Sequence, residues 1–451
     1  MRSMRVTPIP SVQGRWLGGA TREYASDPIG FFVRAAALGD TVRIPLGGRD
    51  AILFRHPDAI KAVLVDNFDR FTLTPARKRF QHLLGRGLLT NDDTPSWLTQ
   101  RRLLQPAFHR ARIAGFIDIM AAEALGLVRQ WEGNGTHTID AADTMLDVTL
   151  RIVCLSLFGA DVSTEALHVG HLMDRAVSDK VQSRRRLWRP PLWVPTAANR
   201  RFKRFRSHLR GVVQQLIDAR RGQVEDRGDL LSLLMTARDA DTGERMPDQQ
   251  VLDETLTFFL GGHETTSIAL AWTLYLLAKH QGIQDRLREE TRRVLGDRAP
   301  AADDLPALGY ADAVVKESMR LYPPAWIVSR LAQSDVEIEG TVVKKGHLAF
   351  MSPYVTHRHA GLWDDPEAFR PERFEPAAVQ QRPRFAYFPF GGGPRQCIGN
   401  TFALAEAQTL LAVLVQHYRF DLTHSTRPTL LPGVTLRPHG GLPLRIERVH
   451  A

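Results

Sequence analysis

The chain of 451 residues carries 59 Lys and Arg against 49 Asp and Glu, a net charge of +10, with 43% hydrophobic and 24% charged residues. Those proportions exclude a disordered, fibrous or disulfide-scaffold protein, and the length leaves ample chain to bury a large cofactor. No apolar run reaches the roughly 18 residues of a membrane span. Residues 1–20 hold Arg2, Arg5 and Arg15 but no continuous apolar stretch, so no signal peptide is read and a soluble, cytoplasmic protein is expected.

Thr41–Leu46 and Ala51–Phe54, separated by Gly47, Gly48 and Asp50, read as a short hairpin. From there the pattern turns helical, with apolar residues three and four apart over 57–65, 113–130, 143–157, 202–220 and 249–280. Trp97 and Arg101 are four apart in one such stretch. Cys154 lies in an apolar helical setting, where a buried structural thiol is expected. The positive charge concentrates between Lys180 and Arg221, which reads as a solvated basic helix face. With no recognition module beside it, nucleic acid is not an expected partner. Within it, Trp188, Arg189 and Trp193 are interleaved with Leu and Pro over 187–194, a composition suited to peripheral membrane contact.

Further on, Phe258-Phe-Leu-Gly-Gly-His-Glu-Thr-Thr266 places Gly261 and Gly262 inside a helix, where each costs about 1 kcal/mol relative to Ala unless something approaches closely. Glu264 and Thr265 follow within a turn; a zinc-protease reading fails because Ser267 stands where a second His is needed. Glu317 and Arg320, three apart, can pair on one helix face. Two extended patches, 336–348 and 434–446, read as small peripheral sheets. The expected fold is mainly α with small β-sheets (α+β): one domain over 1–451, with β-rich parts at about 38–56, 333–350 and 430–447.

Phe388-Pro-Phe-Gly-Gly-Gly-Pro-Arg-Gln-Cys-Ile-Gly-Asn400 is an irregular glycine loop opening into a helical pattern over 401–418. A thiol at the positive end of a helix, with Arg395 nearby, is expected to have a lowered pKa. By itself Cys397 could be a redox thiol, a nucleophile or a metal ligand. The spacing of Phe390, Gly393, Arg395, Cys397 and Gly399, however, resembles the cysteine-loop signature of the cytochrome P450 family.

That resemblance implies a fold in which haem b lies between a long distal helix and the cysteine-loop helix, with the Cys397 thiolate as the iron ligand. Phe258–Thr266 resembles the family's oxygen-binding helix, so Glu264 and Thr265 would manage protons and Gly261 would border the haem. Glu317 and Arg320, with Arg373 in Pro371-Glu-Arg-Phe374, resemble the buried structural triad. Trp97, Arg101, Arg330 and Arg395 would hold the haem propionates, and Phe390 and Gly399 would shape the loop. Substrate contacts are expected from Leu88, Leu89, Phe258, Gly262, Ala325, Ile327 and Thr435.

The activity implied is insertion of one atom of O2 into a C–H bond of a hydrophobic small molecule. Electrons would come from NAD(P)H through a separate ferredoxin or flavodoxin and its reductase, since no room for a reductase domain follows the cysteine loop. Leu321–Ile327, Ser352–His357 and Val434–Pro443 resemble members that hydroxylate the β-rings of carotenoids. A terpenoid of that kind is therefore the expected substrate, with a fatty acid as the alternative. A haem-thiolate isomerase or dehydratase would not need the Glu264–Thr265 pair, and a gas sensor would need an output domain.

Overall fold

The computed structural model describes residues 9–14, 18–133, 135–159, 191–221, 227–238, 243–424 and 428–449. The longer helices are α1 (Pro28–Ala36), α2 (Thr94–Leu104), α3 (Ile117–Trp131), α4 (Ala141–Phe158), α5 (Ala197–Arg220), α6 (Asp248–Lys279), α7 (Gln281–Leu295), α8 (Gly309–Leu321) and α9 (Asn400–His417). The helical stretch expected over 113–130 is interrupted: a short helix, Arg110–Ala114, ends at Gly115 before α3 begins. No described helix is long and apolar enough to cross a membrane. Residues 187–190 lie outside the described residues, while Trp193 is 78% exposed.

The strands are β1 (Thr41–Leu46), β2 (Arg49–Phe54), β3 (Phe71–Thr72), β4 (His137–Asp140), β5 (Val328–Ala332), β6 (Val336–Ile338), β7 (Thr341–Val343), β8 (Leu348–Met351), β9 (Tyr418–Leu422), β10 (Thr429–Pro432), β11 (Leu436–His439) and β12 (Pro443–Arg448). The β1–β2 hairpin forms as its alternation dictates, but it extends into a mixed sheet ordered β1-β2-β8-β5-β3, with β8 parallel to β2. The two later patches do not each form one sheet. The first divides between the β6–β7 hairpin and β8, and the second places β11 beside β10 and β12 between β4 and β9. Pairings between strands hundreds of residues apart leave no local spacing signal, so the short partners β3 and β4 escape a sequence reading.

The centre of the molecule is α6. It packs against α4, α5, α8, α9 and β9, and between Val251 and Ala278 every residue is buried except Gly261, Gly262 and Thr265. A helix apolar on all sides belongs inside a large core. Its three unburied positions are therefore one local opening, one turn long, in an otherwise sealed element.

A second buried assembly ties α8 to the segment leading to Cys397. Glu317 and Arg320 are both 0% exposed and form two parallel bonds of 2.7 and 2.8 Å. Arg320 also donates to the carbonyls of His357, Pro366 and Ala368, while Glu317 accepts the Arg370 N–H and faces Arg373 Nε at 3.4 Å. Burial, with Arg320 and Arg358 nearby, holds the His357 imidazole well below its ordinary range. It stays neutral, and its Nε2 accepts the N–H of Phe388 at 3.0 Å. The ion pair thus reaches the cysteine loop through one histidine, a link that the sequence reading did not contain.

Glu317→Ala leaves Arg320 charged and unpaired in the core, so it should cost roughly 3 to 5 kcal/mol in urea unfolding. Arg373→Ala, removing a longer contact at the edge, should cost distinctly less.

Candidate active site

The residues expected to hold a haem gather around two openings. On α6, Gly261 has no atom within 4 Å of the position a Cβ would take, so its face borders open space. One turn on, Thr265 is only partly buried; its hydroxyl donates to the Gly261 carbonyl at 2.8 Å. Its oxygen remains free to accept. Gly262 serves a different purpose from the substrate contact expected: an added Cβ would stand 2.9 Å from Val153 Cγ2 on α4, so the absent side chain lets the two helices close up.

Glu264 is 4% exposed and pinned from the C-terminal sheet region. Its Oε1 accepts the Thr435 hydroxyl at 2.6 Å and lies 2.6 Å from Arg437 Nη2. Thr435 is therefore a partner of the acid, its hydroxyl committed, and not the substrate contact expected. Arg437 was missed because nothing in a lone Arg on a short strand announces a partner so far back in the chain.

Cys397 lies just ahead of α9, its N–H donating to the Phe390 carbonyl at 3.0 Å to close the loop. Gly393, at φ +68°, sits so close to the Leu64 carbonyl that any Cβ would collide with it. The cysteine surface is open although protein surrounds it, as for a side chain facing an internal space. Burial pushes the thiol pKa up, opposed by the Gly399 N–H and by Arg101. The lowered value expected from the helix end is therefore not supplied by the protein; a bound cation has to favour the thiolate. Arg101 donates to the Gln396 carbonyl at 2.7 Å, steadying the loop beside the sulfur.

Beyond the loop lies a crowd of arginines. Arg330 is 7% exposed, and burial together with Arg77 and Arg395 pulls its pKa down to about 9. Arg395, pulled down to about 10 by burial and by Arg77, lies 4.3 Å above the Trp97 ring and donates to the Asn91 carbonyl. Its Nη2 is buried without a hydrogen-bond partner. Such crowding of like charges is relieved by an anionic group carrying several acceptors. The two propionates of haem b fit it, as the soft sulfur of Cys397 fits the iron. Arg77 is an addition to the expected set. Trp97 is a correction: it is fully buried and its indole N–H donates to the Leu88 carbonyl at 3.0 Å, so it supports Arg395 from beneath and is not itself a propionate donor.

Of the remaining expected substrate contacts, Phe258 packs against Phe108 with ring centres 5.3 Å apart, beside the largely buried Leu88 and Leu89. Ala325 is half-buried, and Ile327 packs against the cluster around Phe32 and Phe350.

The cytochrome P450 family model matches residues 16–443 of the chain. Cyclooctatin synthase of Streptomyces melanosporofaciens is 35% identical over 442 residues, 97% of this chain and 93% of that protein. Pentalenene oxygenase of Streptomyces avermitilis is 34% identical, covering 91% of this chain and 89% of its own. The crystal structure of the cytochrome P450DA haem domain superposes with a TM-score of 0.90 at 28% identity, over 99% of this chain and 98% of that one.

If the arginines hold the cofactor, Arg77→Leu and Arg330→Leu should each speed haem transfer to a scavenging globin roughly tenfold, the equivalent of one charge-assisted hydrogen bond. Loss of absorbance in the Soret band measures it.

Proposed function

The chain belongs to the cytochrome P450 family, and we propose that this cytochrome P450 monooxygenase hydroxylates a terpenoid. The family membership carries with it haem, O2, a hydrophobic substrate and electrons from redox partner proteins. When bound, haem b supplies the dioxygen chemistry. Cys397 would be its thiolate ligand, and Arg77, Arg101, Arg330 and Arg395 would hold its propionates. Thr265 accepts and passes protons on the open face of α6, and Glu264 resupplies it. Phe258, Leu88, Leu89 and Ala325 provide apolar contact for the substrate, and their packing excludes water from it.

The observation that supports a terpenoid is the near full-length match to two Streptomyces enzymes whose names specify cyclooctatin and pentalenene. Within that class, the wording of Leu321–Ile327 and Val434–Pro443 favours a carotenoid ring. A ferredoxin or flavodoxin, reduced from NAD(P)H, is the proposed donor. Trp193, standing out at 78% exposure beside a basic helix, suits a peripheral contact with the lipid in which such substrates dissolve.

Two measurements test this reading. The reduced carbon-monoxide difference band at about 450 nm should be present and should vanish in Cys397→Ser. Titration with β-carotene and with polycyclic terpenes should move the Soret band from low to high spin, and a ferredoxin pair should then yield a hydroxylated product. Turnover of long-chain fatty acids with no response to either terpenoid would remove the substrate assignment.

A further inference from the structure

The segment between Gly85 and Leu89 is gripped from α6 in a way that packing alone does not demand. Its backbone N–H groups point at two carboxylates: Arg86 donates to Asp253 Oδ2 and Leu88 to Glu254 Oε2, each at 2.8 Å. The approach is so close that side chains are excluded. Gly85, at φ +67°, would drive a Cβ into the Asp253 carboxyl, and Gly87 would drive one into the Thr257 hydroxyl. The carbonyls are taken as well. Arg86 O accepts from Gln250 and Gln100, and Leu88 O accepts from Trp97. Glu254 is 0% exposed, and burial pushes its carboxyl up to about 7. Keeping an ionisable group there is costly where an apolar residue would fill the space.

The gripped segment is the one that carries Leu88 and Leu89, and the acids that grip it stand on α6 just before Phe258 and the opening at Gly261. Resting on the reading of the active site given above, we infer that Asp253 and Glu254 are positioning residues that hold residues 85–89 against α6 and so set the size of ligand admitted to the distal side. The carboxylates act through the backbone of the segment and not on the substrate. The hydrophobic side chains do the contacting, and the acids determine where they stand. Asp253 also lies 3.4 Å from Arg210 of α5, so three parts of the chain meet at this clasp.

The test uses the haem-loaded protein. Arg86 is 66% exposed, which makes it a ready trypsin site once the segment lifts. Glu254→Ala should speed cleavage after Arg86 roughly tenfold, because proteolysis follows the population of the opened form. The same variant should bind imidazole as the wild type does but tighten for 4-phenylimidazole by a similar factor, read from the Soret shift. Glu254→Gln, which keeps a carbonyl oxygen for the Leu88 N–H, should restore both values. Should Glu254→Ala not fold, Gly87→Ala lifts the segment by pressing on the Thr257 hydroxyl and the Asp253 backbone while leaving both acid side chains in place, and should give the same pair of changes. An unaltered cleavage rate, or an unaltered ratio of the two azole affinities, would overturn the assignment. The carbon-monoxide band separates this from a failure of the haem-thiolate reading itself, since it should be unchanged in all these variants.

Discussion

A helix of 32 residues buried on every side is the constraint around which this molecule is arranged. Such an element can form only if other helices and strands cover each of its faces, which is why α4, α5, α8, α9 and β9 all converge on it. In a core packed that tightly, any unburied position has a cause. The only unburied stretch between Val251 and Ala278 lies at Gly261, Gly262 and Thr265, and there one face opens while Gly262 lets α4 draw near. The active centre is therefore an interruption in packing.

Electrostatics divides the site into two halves of opposite character. Around Arg330 and Arg395, positive groups crowd together and one nitrogen is left without a partner. Around Glu264, a single negative group is met by Thr435 and Arg437 and is fully satisfied. The first half is built to receive an anion, and the second already holds one in check. The buried Glu317–Arg320 pair belongs to neither. It acts at a distance, using His357 to orient the strand of chain that enters the cysteine loop.

Much of this could be read from the residues alone, and the boundary of what could be read is physical. The helices carried their own periodicity, and the cysteine loop carried a spacing that few unrelated sequences would share. Cys397 stood out for that reason, while Glu264, Thr265, Glu317, Arg320 and Arg330 were assigned roles only through the family resemblance that its loop carries. What was missed came from contacts between distant parts of the chain. Arg77 and Arg437 are ordinary arginines until the fold brings them to Arg330 and Glu264. Thr435 and Gly262 lay in the right neighbourhood but face a carboxylate and a neighbouring helix. Trp97 was counted among the propionate-holding residues, whereas its N–H is already taken by the Leu88 carbonyl. The thiol showed the same limit: its position at a helix start was plain, but the degree of burial that outweighs the helix field was not.

The pinning of Glu264 has a bearing on how the enzyme comes into being. Thr435 lies 171 residues beyond the acid, so it is synthesised well after it. During translation α6 can emerge and begin to collapse with its neighbours long before those partners exist, leaving a carboxylate in a closing interior with nothing to balance it. Final consolidation of the centre must then await the emergence of β11 and its neighbours. A product truncated before β11 would hold the thiol and the oxygen-side helix yet lack the counter-charge that makes their shared interior tenable.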